Sequence, residues 1–478
     1  TETLLECISE WGIEKTLKES IGMFAFALWD LQSQTLTLAR DRFGEKPLYY
    51  GWINGDFVFG SELKALRAFP KFNNSINRDA LALYFQYCTI PAPYSIYQDI
   101  FKLEPGNFLT LCHSNLDQKV IRIEPYWQLA DVASRGLVNP INNDLEAITA
   151  LDSSLRESVS QQTVADVPLG AFLSGGVDSS TIVAIMQTQS SRPVQTFTVG
   201  FDEVGFDESP YALEVAKHLG TDHHELRVTA DEARAVIPQI PELYDEPFAD
   251  SSQIPTYLVC HAARKHVTVA LSGDAGDELF GGYNRYLWGQ RIWNKLSWMP
   301  SSLRRTVGFG IQGISMSTLN SLGRFLPSGI SVSRMGDKAH KLAHRLKTVD
   351  SLDDLYRSLV NEWPEDTSLV LGAKRLPTKL DDLEIVKDIA DPENRMMLWD
   401  SLTYLPDDIL TKVDRAAMGV SLETRVPFLD HRVAELAWRI PMNMKFRNKQ
   451  GKWVLRQVLY KYVPRELIER PKAGFSIP

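Results

Sequence analysis

The string Phe172-Leu173-Ser174-Gly175-Gly176-Val177-Asp178-Ser179-Ser180 constrains this chain more than any other stretch. Apolar residues Leu169 to Leu173 predict a short buried strand and Ser179 to Gln189 a helix, which leaves Ser174 to Asp178 as the turn between them. A strand that passes through a glycine pair into a helix offers an anion close-lying backbone N–H groups and the positive end of the helix dipole. Ser174, Ser179 and Ser180 add hydroxyl donors. Asp178 is the odd member, because a carboxylate repels an anion unless a divalent cation lies between, so it is expected to contact Mg²⁺. The turn lacks the Gly-x-x-x-x-Gly-Lys-Ser/Thr spacing, so no lysine reaches a transferred γ-phosphoryl group. Pyrophosphate leaving as a unit is the anion expected.

The stretch after this turn keeps the rhythm of a parallel sheet: Val194 to Val199 predicts a strand and Tyr211 to His218 a helix. Val267 to Leu271 predicts a third buried strand, running into Ser272-Gly273-Asp274-Ala275-Gly276-Asp277-Glu278-Leu279-Phe280-Gly281-Gly282-Tyr283. Ligands of open parallel sheets bind at the carboxyl ends of strands, and two such ends here carry Ser-Gly plus an acid. Asp274, Asp277 and Glu278 would repel one another without a cation. A solvated acidic turn is the plainer reading of such a run by itself. Its place after a buried strand favours Asp178 and Asp277 clamping one Mg²⁺ on pyrophosphate.

With 478 residues the chain is long for one core, and two domains are expected, at 1–125 and 144–478. The first reads as antiparallel β with flanking helices: Thr3 to Trp11 as helix, Met23 to Trp29, Thr35 to Ala39, Pro47 to Gly51 and Asp56 to Gly60 as strands. Turns near Gly44 and Asn54-Gly55 are expected to join them as a meander. Residues 126–143, with Gly136, Pro140 and Asn142-Asn143, read as a linker, and Asp144 to Thr163 as the helix opening the second domain. Ser297 to Asn394 reads as helical, and the basic cluster Lys338 to Lys347 as a solvated helix face. A net charge of -9 argues against a nucleic-acid surface, and no apolar run reaches membrane-spanning length, which makes the cytoplasm the default location. Cys7, Cys88, Cys112 and Cys260 have no paired spacing and are expected to be reduced and buried. His223-His224 reads as a strand end beside Glu225, not as a metal site.

The Ser-Gly-Gly-Val-Asp-Ser string resembles the signature of the PP-loop ATP pyrophosphatases, which cleave ATP between the α and β phosphates and leave an adenylate on a substrate oxygen. Gly22 to Asp30, Ala39 to Tyr50 and Ser61 to Leu66 resemble the later part of a class II glutamine amidotransferase domain, as found in glutamine-hydrolysing asparagine synthetases. Ser272 to Tyr283, Glu423-Thr424-Arg425-Val426-Pro427-Phe428-Leu429-Asp430 and Gly451-Lys452-Trp453-Val454-Leu455-Arg456 are similar to further motifs of that family. The resemblance implies an α+β glutaminase part of N-terminal-nucleophile type, then a doubly wound α/β ligase with a helical C-terminal part. Its implied nucleotide residues are Leu173, Ser174, Gly175, Gly176, Asp178, Ser179, Ser180, Val199, Ser272 and Gly273, with Mg²⁺ on Asp178 and Asp277. Asp274, Lys452 and Tyr283 are the implied catalytic residues, and Glu423, Arg425 and Asp430 those beside the substrate pocket. Substrates would be ATP, aspartate or another carboxylic acid, and ammonia or glutamine, and a homodimer is left open.

One position departs from the pattern: Asp274 stands where well-studied asparagine synthetases have glutamate, which opens a sugar uronate or another carboxylate as the acid. The family's cysteine nucleophile lies upstream of the matching segment, and none of the four cysteines matches it. Thr1 runs straight into a helix, which does not suit a nucleophile. Both ends read as cut, with Lys472 to Pro478 falling where relatives continue. A non-catalytic subunit and a tRNA- or cofactor-modifying ligase are the rival readings.

Overall fold

The computed structural model describes residues 1–201, 207–323, 335–363 and 369–470. The first part holds seven strands in two antiparallel sheets: β1 (Ala25–Asp30), β2 (Thr35–Arg40), β3 (Tyr49–Ile53), β4 (Asp56–Gly60), β5 (Ile100–Lys102), β6 (Asn107–Cys112) and β7 (Arg122–Pro125). One sheet has the order β1-β2-β6-β7 and the other β4-β3-β5. The hairpin at Asn54-Gly55 forms as expected, both residues having positive φ. The meander does not: β2 pairs with β6 instead of β3. The intervening stretch is turned aside by Asp41, whose carboxylate accepts backbone N–H bonds from Phe24, Phe43, Glu45 and Lys46 at 2.9 to 3.3 Å. Neighbouring Arg40 donates to the carbonyls of Gly44, Lys46 and Leu103. The charged string around Gly44 is therefore the buried bracket between the sheets.

The stretch read as a linker contains a helix, Leu129–Val138, with Leu129, Val132, Ala133 and Gly136 buried. Gly136 has no room for a side chain, since a Cβ there would lie 2.8 Å from the backbone of Trp438. Spacing of its apolar residues, not its glycine, decides its structure. The helix Asp144–Gln162 follows, capped by Asn143, which accepts from the Glu146 amide at 3.0 Å.

Among the described residues, five parallel strands form the second part's sheet: β8 (Leu169–Phe172), β9 (Gln195–Phe201), β10 (Asp222–Val228), β11 (Val269–Leu271) and β12 (Glu423–Arg425), in the order β10-β9-β8-β11-β12. The chain winds outward one way from β8 to β10 and then returns to place β11 on the other side of β8. The topological switch point thus lies between β8 and β11, where Ala171 stands opposite Leu271. Gly170 is needed in β8 because a Cβ would lie 2.7 Å from the carbonyl of Gln195. The helix Val177–Gln189 behind it is buried nearly all round, from Ser180 to Met186 without a break. His223 and His224 lie in β10, where His224 stacks on Phe197 and meets the His266 ring at a tilt, 4.2 Å between centroids.

Helices make up most of the described remainder. The one carrying the basic cluster, Met335–Thr348, packs on Ser301–Gln312; Lys338 and Lys341 are exposed, but Lys347 donates to Gln312 and lies 4.2 Å over Phe309. Of the four thiols, all free, only Cys260 is buried; Cys7, Cys88 and Cys112 are half-buried. No helix among the described residues is long and apolar enough to cross a membrane.

Candidate active site

Two loops leave the carboxyl ends of β8 and β11 side by side. In the first, buried Leu173 donates its N–H to Phe197 at 2.9 Å, and Gly175 takes φ 71°. The Ser174 and Ser179 hydroxyls lie 3.0 Å apart, and the Ser174 amide reaches Ser179 Oγ at 3.2 Å, so the loop is closed by its own hydroxyls. Gly176 caps the helix, and Asp178 falls in its first turn. Ser180 is fully buried, its hydroxyl without a partner among the described residues. Val199 lies buried in β9.

Glycines let the second loop lie directly on the first. A Cβ on Gly273 would come 2.6 Å from the Ser179 amide, and one on Gly276 2.5 Å from Asp178 Oδ1. Gly282 is tighter still, at 1.7 Å from Asp277 Oδ1 and 2.1 Å from Lys452 Cε. Ala275 turns the chain at φ 69°, and the short helix Gly276–Phe280 then carries Asp277 toward Asp178. Lys452, 5% exposed, lies between the two carboxylates, bonded to Asp178 and 2.5 Å from Asp277 Oδ1. Burial works against its charge, yet the two carboxylates outweigh that and raise its pKa to about 12. Lys452 is itself in the left-handed region, φ 58°, a conformation that costs about 1–2 kcal/mol. Removing one partner of such a buried cluster costs ~3–5 kcal/mol, because the remaining charges are left uncompensated.

Three of the acids in the second loop differ in character. Asp277 is paired with Lys452, while Asp274 accepts a 2.5 Å bond from Ser272 Oγ. Burial raises the Asp274 pKa, and Asp178 and Asp277 add to that, against the pull of Ser272 and Lys412. Glu278 is 1% exposed, and burial with the neighbouring Asp277 pushes it up to about 8, against the 2.6 Å bond it accepts from the Tyr283 hydroxyl. Tyr283 therefore presents its hydroxyl to Glu278, while its ring takes the Arg285 guanidinium at 4.0 Å.

A second buried cluster was not singled out from the sequence. Lys412 donates to Asp250 at 2.6 Å and to Ser252 at 2.8 Å. Burial alone would raise Asp250, but Lys412 and a hydrogen bond from Asp408 bring it down to about 2. Asp408 is raised by burial and by Asp250. Opposite charges at 408 and 412, one helical turn apart, were the available signal.

Glu423, Arg425 and Asp430 stand apart from this convergence. Arg425 bonds Glu423 at 2.7 Å and the carbonyls of Gln162 and Val164, and its own carbonyl accepts from the Ser272 amide at 2.8 Å. Asp430 is buried, caps the helix His431–Arg439 and pairs with Arg432 at 2.6 Å. Their side chains brace β12 and the helix that Asp430 caps.

Two family models match the chain: "Asparagine synthase" over residues 150–478 and "Glutamine amidotransferase domain" over residues 1–127. A putative glutamine-hydrolysing asparagine synthetase of Mycobacterium tuberculosis is 34% identical over 100% of this chain and 70% of its own length. Glutamine-hydrolysing asparagine synthetase 1 of Bacillus subtilis is 32% identical over 100% of this chain and 71% of its own. A putative glutamine-hydrolysing asparagine synthetase 2 of Methanocaldococcus jannaschii reaches 42% identity over 61% of this chain and 55% of its own.

Proposed function

Because the chain belongs to the asparagine synthase family, and is thus an ATP-dependent ligase that forms carbon–nitrogen bonds, we propose that its product is asparagine. The side-chain carboxylate of aspartate takes the adenylyl group of ATP, pyrophosphate leaves, and ammonia displaces AMP from the β-aspartyl adenylate. Residues 144–478 are the proposed ligase domain. Residues 1–125 are proposed as part of the glutaminase domain that supplies ammonia from glutamine, with 126–143 joining the two. The observation that carries the reading is the convergence of Asp178 and Asp277, from two glycine-rich loops at the switch point, on one buried cation.

Paired carboxylates on glycines that leave no space for a Cβ suit a hard divalent cation, so Asp178 and Asp277 are the residues that would hold Mg²⁺. When bound, Mg²⁺ offsets the negative charge of the pyrophosphate. Ser174, Gly175, Gly176, Ser179 and Ser180 would bind the pyrophosphate, and Leu173, Val199, Ser272 and Gly273 would surround the nucleotide. Lys452, held between Asp178 and Asp277, is assigned to charge developing on the α-phosphorus and on the tetrahedral carbon. Asp274 orients the acyl group. Tyr283 is assigned to hold Glu278 in place beside Asp277.

The test is ATP–pyrophosphate exchange with Mg²⁺, offering aspartate and, in parallel, a sugar uronate, since Asp274 is one methylene shorter than the family's glutamate. Aspartate-dependent exchange, reduced at least 100-fold in Asp178→Asn with the fold retained, is expected. Exchange with the uronate alone would replace aspartate as the acid. Full exchange in Asp178→Asn would overturn the assignment of the cation site.

A further inference from the structure

Arg470 lies outside every motif discussed so far, yet it touches the Ser174–Asp178 loop directly. Its Nη2 donates to the backbone carbonyls of Ser174 at 3.4 Å and Gly175 at 3.2 Å. The guanidinium lies 3.8 Å from the centroid of the Tyr211 ring, and its Nη1 is 3.8 Å from the Glu208 carboxylate. The side chain is 14% exposed. Loop, Tyr211 and Glu208 thus surround one cation. Glu208 and Tyr211 lie at the start of the helix Ser209–Leu219, and Gly175 is pressed against that start, since a Cβ would come 2.9 Å from the Ala212 amide.

The direction of these bonds matters more than their number. A trans peptide holds its C=O and N–H on opposite sides of the chain. The Ser174 carbonyl shares a plane with the Gly175 amide, and the Gly175 carbonyl with the Gly176 amide. Holding both carbonyls on the outer side directs both amides inward. Gly175, at φ 71°, is the residue about which these planes turn most freely. Turned over, the first plane would aim a carbonyl dipole at an anion. The Gly176 amide reaches Ser174 Oγ at 3.3 Å, which favours the same orientation. Stacking on the Tyr211 ring fixes the guanidinium plane and so holds Nη2 between the two carbonyls; a lysine has no plane to stack.

We propose that Arg470 is a positioning residue for pyrophosphate, fixing the Ser174–Gly175 and Gly175–Gly176 peptides so that their amides face the departing anion. The inference rests on the ligase reading above and deepens it. Arg470 touches the loop and not the reacting atoms, so its removal weakens pyrophosphate selectively.

The experiment compares the full chain with Arg470→Ala and Arg470→Lys, by calorimetric titration with Mg–pyrophosphate and by ATP–pyrophosphate exchange. Arg470→Ala is expected to bind Mg–pyrophosphate about 10- to 100-fold more weakly, with KM for pyrophosphate raised by the same factor and KM for aspartate unchanged. Ethylguanidinium is expected to restore part of the loss, and Arg470→Lys to fall between. Parent-like affinity in Arg470→Ala overturns the proposal. So does a loss of aspartate and pyrophosphate affinity together that ethylguanidinium does not restore, which marks a purely structural residue. If Arg470→Ala does not fold, Arg470→Lys decides: parent-like pyrophosphate affinity there refutes the idea, selective weakening supports it. An unsubstituted chain that neither binds Mg–pyrophosphate nor exchanges sinks the ligase reading and this inference with it. A competent parent beside an indifferent Arg470→Ala sinks this inference alone.

Discussion

At the level of single residues, burial and charge pull the acids of one loop apart. Asp277 faces Lys452, whereas Asp274 faces Ser272 and feels Asp178 and Asp277 as like charges. Neighbours in sequence are thereby set to different tasks, in the way that separated environments assign acid and base roles. The consequence is a kinetic split. Asp274→Asn keeps the size and the bond from Ser272, and should lower amide formation by about 100-fold, ~2.7 kcal/mol, while affinity for Mg–ATP stays within about threefold. Stopped amide formation measured beside equilibrium nucleotide binding checks this. Collapse of nucleotide affinity in that variant would make Asp274 part of the cation site instead. Restoring the family's glutamate, Asp274→Glu, extends the carboxylate by one methylene and tests whether the acyl substrate is positioned against its tip.

At the level of elements, the two loops work as one surface because glycines remove the atoms that would hold them apart. Gly282→Ala places a methyl 1.7 Å from Asp277 Oδ1 and 2.1 Å from Lys452 Cε, so both side chains must move. Expected is a loss of exchange of at least 100-fold with an apparent unfolding midpoint changed by only a few degrees, since the obstructed atoms are side chains and not core backbone. Exchange near the parent level would show that Lys452 and Asp277 need not meet. These loops were legible in the sequence because strand, glycines, acid and helix lie within one short string. The strands β8, β9 and β11 follow from short continuous apolar runs, and the helices after β8 and β9 from the segments that succeed them, whereas the helix Gly276–Phe280 after β11 was read as part of a loop. β12 was not legible: three residues, Glu423-Thr424-Arg425, carry two charges, and only pairing with β11 makes them a strand. The helix Leu129–Val138 was hidden for a different reason, its glycine being required by contact with Trp438 far along the chain. Lys412 and Asp250 are 162 residues apart and Arg470 is 295 from Gly175, so no local pattern could join them.

Across the whole molecule, the antiparallel sheets and the parallel sheet are joined by buried charges. Lys46 meets Asp414 at 2.8 Å, Lys102 meets Glu246 at 2.6 Å, and Arg415 meets Glu62 at 3.1 Å and the carbonyl of Ser61. Asp407 accepts the Ala92 amide at 3.2 Å on each carboxylate oxygen and lies in the same stretch as Asp408 and Lys412. This stretch connects the sheets of the first part with the surroundings of Asp274. Burial raises Asp407 to about 6, although Lys102, Arg40 and the Ala92 amide pull the other way. A carboxyl with a folded pKa above its unfolded value of 3.8 binds its proton more tightly in the native state. It therefore favours folding at low pH and ceases to do so as pH rises toward about 6, above which the native state holds an ionised group it would better keep neutral. Asp407→Asn keeps an acceptor for Ala92 and removes the titration. Relative to the parent, its apparent unfolding midpoint should rise with pH between about 4 and 6 and then stay level, the gain being on the order of 3 kcal/mol at pH 7. Denaturation of both chains at half-unit pH intervals measures that difference directly, and cancels the many surface carboxylates they share. A flat difference across the window would mean that Asp407 titrates alike in both states, and that Lys102 and Arg40 hold it ionised. A difference that instead falls with pH would make its charge a stabilising part of the contact, and the connection between the two sheets an ion-paired one throughout.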